Sequence, residues 1–300
     1  MELNSAQIAQ FETEGYLLLR SVLTDADLNP VIAEYEHHIN RRANELLAAG
    51  KISGLYADQP FNHRLVSICR QCDEIYANLD IMHFRGRASF EFLRNDNLLD
   101  IVEGLVGPEI TCCPVQHTRA KLPEGLTPSA GDPHIAPWHQ DAGAFDKAAD
   151  PHFVLTVWLP LSAARPENGC LQIIPRSHNE GLQQHRIERG LVTMDVNDER
   201  SREEGLTLPM DKGDLLLMHK AMAHRSTLNK IDEVRWSMDL RYQQTGTPSG
   251  RPYYPDFAVR SRSNPASVLT DYDQWCQLWI EALEGGKSNK RKAPRWEVVP

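Results

Sequence analysis

From Ile110 onward the chain breaks into short apolar runs separated by Pro, Gly, Asn and Asp, and this punctuation limits the fold more than any other feature of the 300 residues. The runs fall at 110–119, 153–161, 170–174, 214–218 and 234–242. Each has strand length, and no long helical pattern alternates with them. That predicts a sandwich or jelly roll rather than a parallel α/β sheet.

Helical patterns flank this β region. The stretch 6–15 follows Asn4-Ser5, either of which suits an N-cap, and stops at Gly15. Tyr16-Leu17-Leu18-Leu19 then reads as a short buried strand. A second helix is expected over 25–49, with Pro30 separating its first turn from the rest. A third spans 88–105, closed by Gly107-Pro108, and a fourth covers 268–283 with Trp, Leu and Ile at helical spacing. The predicted architecture is mainly β with flanking α-helices. It forms one domain over 1–300 whose core lies at about 110–245.

Composition narrows the activity. With 41 Asp+Glu against 32 Lys+Arg, the formal charge of -9 argues against nucleic acid as the main partner. The basic stretch 287–295 reads as a solvated, partly mobile terminus. Six irregularly spaced cysteines suggest no disulfide framework or zinc ribbon, and adjacent Cys112 and Cys113 read as buried thiols. The N-terminus lacks a signal-peptide layout, and no apolar run reaches the roughly 18 residues of a membrane span. A soluble, cytoplasmic protein with a small-molecule substrate and no membrane partner is the expectation. Its oligomeric state stays open, since no self-complementary patch is legible.

The sharpest local signal is Trp138-His139-Gln140-Asp141. On an extended chain His139 and Asp141 point to one face and Gln140 to the other. A surface loop would leave the same tripeptide, so the pair needs a third ligand. The block Gly213-Asp214-Leu215-Leu216-Leu217-Met218-His219-Lys220-Ala221-Met222-Ala223-His224-Arg225-Ser226 can deliver one from a distant strand. Two His and one carboxylate leave three positions of an octahedral iron open, enough for a bidentate 2-oxo acid and dioxygen. Arg235 follows His224 by eleven residues, past a turn-like Asn229-Lys230-Ile231-Asp232. If the two segments form a hairpin, Ser226 approaches Arg235, and the two together suit a carboxylate.

The strings PWHQD, ENGCLQIIPRSH and GDLLLMHKAMAHRSTLNKIDEVRWSMDLRY, with FETEGYLLL near the start, resemble the phytanoyl-CoA dioxygenase family of iron and 2-oxoglutarate oxygenases. The resemblance covers most of the chain. It implies a double-stranded β-helix, a cupin-like jelly roll with helices outside. It implies Fe(2+) held by His139, Asp141 and His224, with O2 as co-reactant. It places Ser226 and Arg235 on the C5 carboxylate of 2-oxoglutarate, with Trp158 and His117 as further cosubstrate contacts or ordinary core residues. His219 competes for the third ligand position, but His224 carries the family's HxS continuation and its interval to the arginine. His178 reads as a turn support, and His134 and His152 as loop residues. Related halogenases lack the carboxylate, so Asp141 points to hydroxylation or another oxidative outcome. Arg241 either meets an anionic substrate or pairs with Asp239 or a surface acid. The segment 247–263 is either a lid or a packed crossing. Two other readings stand beside this one: a zinc-dependent hydrolase on the same ligands, and a non-catalytic jelly-roll binding protein.

Overall fold

The computed structural model describes residues 1–126, 136–288 and 295–299. In chain order the strands are β1 (Tyr16–Leu19), β2 (Glu109–Cys112), β3 (His117–Lys121), β4 (Val154–Pro160), β5 (Leu171–Ile173), β6 (Arg186–Glu188), β7 (Leu191–Thr193), β8 (Leu206–Leu208), β9 (Leu215–His219), β10 (His224–Ser226), β11 (Arg235–Gln244), β12 (Phe257–Ser261) and β13 (Val298–Val299). The helices are α1 (Ser5–Glu14), α2 (Asp25–Ala48), α3 (Phe61–Cys69), α4 (Ile81–Phe84), α5 (Arg87–Phe92), α6 (Asp96–Val106), α7 (Asp198–Glu203) and α8 (Tyr272–Ser288).

Seven strands build the larger sheet in the order β1-β9-β4-β11-β2-β12, with β3 also paired to β11. A smaller sheet runs β10-β5-β8, and a third runs β13-β6-β7. Side-chain alternation assigns the two faces of the larger sheet. On β11, Trp236, Met238, Leu240 and Tyr242 enter the core shared with α2, α3, α5, α6 and α8. Arg235, Ser237, Asp239 and Arg241, at the alternate positions, face the other way. Trp158, Leu216 and Met218 share that second face and pack with Leu171, Ile173 and Leu208 of the smaller sheet. Two antiparallel sheets face to face, with helices on one outer side, make a jelly roll of the double-stranded β-helix kind.

The helical layer is tied down by large aromatics. Trp236 stacks on Phe61 of α3 at 4.7 Å and lies 5.5 Å from Tyr35 of α2. Truncating such a buried tryptophan costs about 3–5 kcal/mol. Buried tyrosine hydroxyls add directed bonds between layers, from Tyr35 to the Leu79 carbonyl and from Tyr242 to that of Leu93, each 2.9 Å. Gly15, at φ 77°, caps α1 and starts β1 at once; a Cβ there would collide with His178.

Several expectations are corrected. The single helix over 88–105 is two, because Asn95 accepts a bond from Leu98 N and caps a new helix. Pro30 does not interrupt α2; it lies inside the helix, whose buried face from Leu28 to Leu46 holds it together. The run 110–119 splits into β2 and β3, which pair with different stretches of β11. The last helix begins at Tyr272 rather than 268. Within 247–263, Phe257–Ser261 is a strand on β2, and Arg260 is anchored by Asp96, Asp100 and Glu103, so this half is a packed crossing and no lid. At the C-terminus, Arg295 pairs with Asp150 at 2.6 Å and Trp296 Nε1 donates to the Gly143 carbonyl at 2.6 Å, so these two residues are docked rather than solvated. His134 and residues 289–294 of the basic stretch lie outside the described residues. No described helix is long and apolar enough to cross a membrane.

Candidate active site

The site forms where the smaller sheet faces β4 and β11. His139 does not sit in a regular strand; it makes a two-bond bridge to His224, His139 N to His224 O at 3.0 Å and His224 N to His139 O at 2.9 Å. Gln140 is extended at φ -115° and ψ 138°, and a 3-10 turn begins at Asp141. The expected alternation therefore survives over this tripeptide. Gln140 is buried and turns away from the pair, donating to the carbonyls of Ala221 at 2.7 Å and Gly181 at 2.9 Å.

The imidazoles are oriented by the backbone. His139 Nδ1 bonds the Pro137 carbonyl at 2.8 Å, and His224 Nδ1 bonds that of Met222 at 3.0 Å. Each contact puts the proton on Nδ1 and leaves the Nε2 lone pair free, the arrangement that prepares a histidine for metal. Burial, with His224 beside it, pushes His139 down to about 3, so it is neutral at physiological pH. Nitrogen atoms of His139 and His224 and an oxygen of Asp141 lie within 4.8 Å of one another. Burial raises the Asp141 carboxyl, but the Arg241 guanidinium beside it outweighs this and holds the group well below the carboxylate range. Two imidazoles, an ionised carboxylate and convergent lone pairs fit a divalent cation of the iron type.

The competing histidine lies elsewhere. His219 ends β9, accepts a bond from Ala221 N at 3.0 Å and packs 5.4 Å from His178 and 5.5 Å from Phe153, outside the cluster. His178 sits in a 3-10 turn and bonds the Glu12 carbonyl.

Arg235 and Ser226 are close to one cavity but not through a hairpin. Ser226 is on β10, paired with Leu171 of β5, whereas Arg235 opens β11 in the opposite sheet. The link is Lys121, the Cα partner of Arg235, whose Nζ donates to Ser226 Oγ at 2.9 Å. Arg235 is 3% exposed, donates to Ser237 Oγ at 2.5 Å, and lies 5.3 Å from the Trp158 ring centre. Its Nε has no hydrogen-bond partner, and no carboxylate pairs with it among the described residues. Burial and the neighbouring Arg119 push it down to about 10. A buried cation without a counter-charge is costly, and a ligand carboxylate would supply one.

The cavity that joins these groups has a volume of about 590 Å³ and is lined by His139, Asp141, His224, Ser226, Lys121 and Arg235 among others. Trp158 and His117 flank Asp239 from either side, as its Cα partners on β4 and β3. His117 Nδ1 is bonded to Asp80 at 2.6 Å, and the pair forms part of the cavity wall. Arg241 does not reach a surface acid; it holds both Asp141, at 2.6 Å, and Asp239, at 3.0 Å. Lys121 and Thr156 were not singled out from sequence. For Lys121 a signal existed, since it shares strand parity with His117; Thr156 is one apolar-run threonine until the register places it on Asp141.

Residues 11–236 match the family model described as phytanoyl-CoA dioxygenase. A phytanoyl-CoA dioxygenase domain-containing protein 1 of Danio rerio is 35% identical over 88 residues, 27% of this chain and 30% of the relative's own length. The 1-deoxypentalenic acid 11-beta-hydroxylase of Streptomyces arenae is 30% identical over 254 residues, 80% of this chain and 81% of that protein. Among solved structures, the non-heme monooxygenase ThoJ in its apo form superposes with a TM-score of 0.61 at 19% identity, covering 95% of this chain and 100% of the other. At that identity the likeness speaks for the fold.

Proposed function

The chain belongs to the phytanoyl-CoA dioxygenase family, and from that premise we propose that it is an Fe(II)- and 2-oxoglutarate-dependent dioxygenase that hydroxylates a carbon-hydrogen bond of a small or medium organic substrate. The observation that carries the reading is one cavity holding both a His-Asp-His cluster and a buried arginine that pairs with no carboxylate among the described residues. A zinc hydrolase would use the three ligands but would leave Arg235 unexplained.

His139, Asp141 and His224 would hold the metal. Arg235, with Lys121 and Ser226, would receive the far carboxylate of the oxo acid, the guanidinium offering a fork and the other two single hydrogen-bond positions. When bound, iron would activate dioxygen as the oxidant, with 2-oxoglutarate supplying electrons as it is oxidised to succinate and carbon dioxide. Trp158 covers the guanidinium and keeps water from it, which strengthens its attraction for a carboxylate. The remaining cavity, toward His117, Asp80 and Arg251, is left for the substrate.

Anaerobic addition of Fe(II) and then 2-oxoglutarate to metal-free protein tests this. A weak visible charge-transfer band in the parent, lost in Asp141→Ala, is the expected result. Folded protein that shows no band would reject it.

A further inference from the structure

All five N–H groups of Arg241 find acceptors inside the protein. Nε donates to Asp141 Oδ2 at 3.2 Å, and Nη2 to Asp141 Oδ1 at 2.6 Å and Asp239 Oδ2 at 3.1 Å. Nη1 donates to the carbonyls of Val115 at 3.4 Å and Asp239 at 3.3 Å. A guanidinium carries five donors and no more. None remains for a substrate anion.

The same count applies to the carboxylate, where each oxygen accepts about two bonds. Asp141 Oδ2 takes the Thr156 hydroxyl and Arg241 Nε, which fills it. Among the described residues Oδ1 takes only Arg241 Nη2, and it lies 3.9 Å from His139 Nε2. Its second lone pair is the one left for the metal.

We propose that Arg241 and Thr156 form a lock that leaves Asp141 a single coordinating lone pair, so that it binds metal through Oδ1 alone. Arg241 is then a positioning residue and not a substrate anchor. The inference rests on the metal reading above. Its consequence is a count of sites: chelation by both oxygens would take a fourth octahedral position, leaving two where a bidentate oxo acid and dioxygen need three. Asp239 completes the lock by fixing the guanidinium from the far side.

Manganese(II) added to metal-free protein, without oxo acid, provides the probe, and water-proton relaxation counts its exchangeable waters. The parent is expected to show three. Thr156→Val empties one acceptor site on Oδ2 and should lower the count to two. Arg241→Lys keeps the charge but cannot bridge both oxygens and Asp239. It should lower the count likewise and weaken manganese binding about tenfold to a hundredfold. A purely structural role would lower thermal stability and leave three waters. Three waters in both variants overturn the lock while the metal reading stands; a parent that binds no manganese overturns both. If Thr156→Val fails to fold, Arg241→Lys decides alone.

Discussion

Lys121 and Arg235 stand directly opposite each other as Cα partners on β3 and β11, two buried cations side by side. Like charges in that position repel. Burial, then Arg235 and Arg119, push Lys121 down to about 7. A ligand carboxylate between them would restore the proton. Binding then takes up one proton above pH 7, so 2-oxoglutarate affinity should be full below about pH 7 and fall by up to about tenfold per unit above it. Titrations between pH 6 and 9 check this, with Lys121→Met expected to flatten the profile.

Arg235→Met should raise the Michaelis constant for 2-oxoglutarate by about thirtyfold or more, the cost of losing one side of a buried charge pair. The ligand-free protein should not lose stability, because the variant removes an uncompensated buried charge. Steady-state kinetics and thermal unfolding read the two effects separately. An unchanged constant would remove Arg235 from the clamp.

Asp141→Ala should abolish iron binding and also destabilise the metal-free protein, because Arg241 keeps Asp239 but loses its other carboxylate. Breaking a buried pair costs about 3–5 kcal/mol, and the remaining partner should keep the loss toward the lower end. Denaturant unfolding of both metal-free proteins measures it.

Removal of residues 295–300 should loosen the metal-bearing turn. Arg295 donates to the Phe145 carbonyl at 2.9 Å and grips Asp150, and Trp296 holds the Gly143 carbonyl, all within the segment that follows Asp141. The truncated protein is expected to unfold a few degrees lower, as about 1 kcal/mol would produce in a chain of this size, and to bind iron more weakly. Equal unfolding temperature and equal affinity would show that the tail does not support the turn.

Local chemistry made much of this protein legible in one dimension. The Asn4 cap and Gly15 stop place α1, the apolar runs place β1, β4, β5, β9 and β11, and the two-residue spacing of His139 and Asp141 puts both on one face even though only Gln140 between them is regularly extended. The preference for His224 over His219 came from the family resemblance, through the HxS continuation and the interval to Arg235, and the structure puts His224 in the cluster and His219 outside it. What the sequence alone did not determine is which strand lies beside which. Ser226 and Arg235 are nine residues apart yet stand on different sheets, whereas Lys121 and Arg235, far apart in the chain, are direct neighbours. Thr156 and Arg241 reach Asp141 only because β4 and β11 pair in a register that makes them Cα partners. Periodicity assigns a side chain to a face. Its neighbours on that face depend on register, which is decided by packing of whole sheets around Trp236, Trp158 and the helices, and that balance is a property of the folded chain.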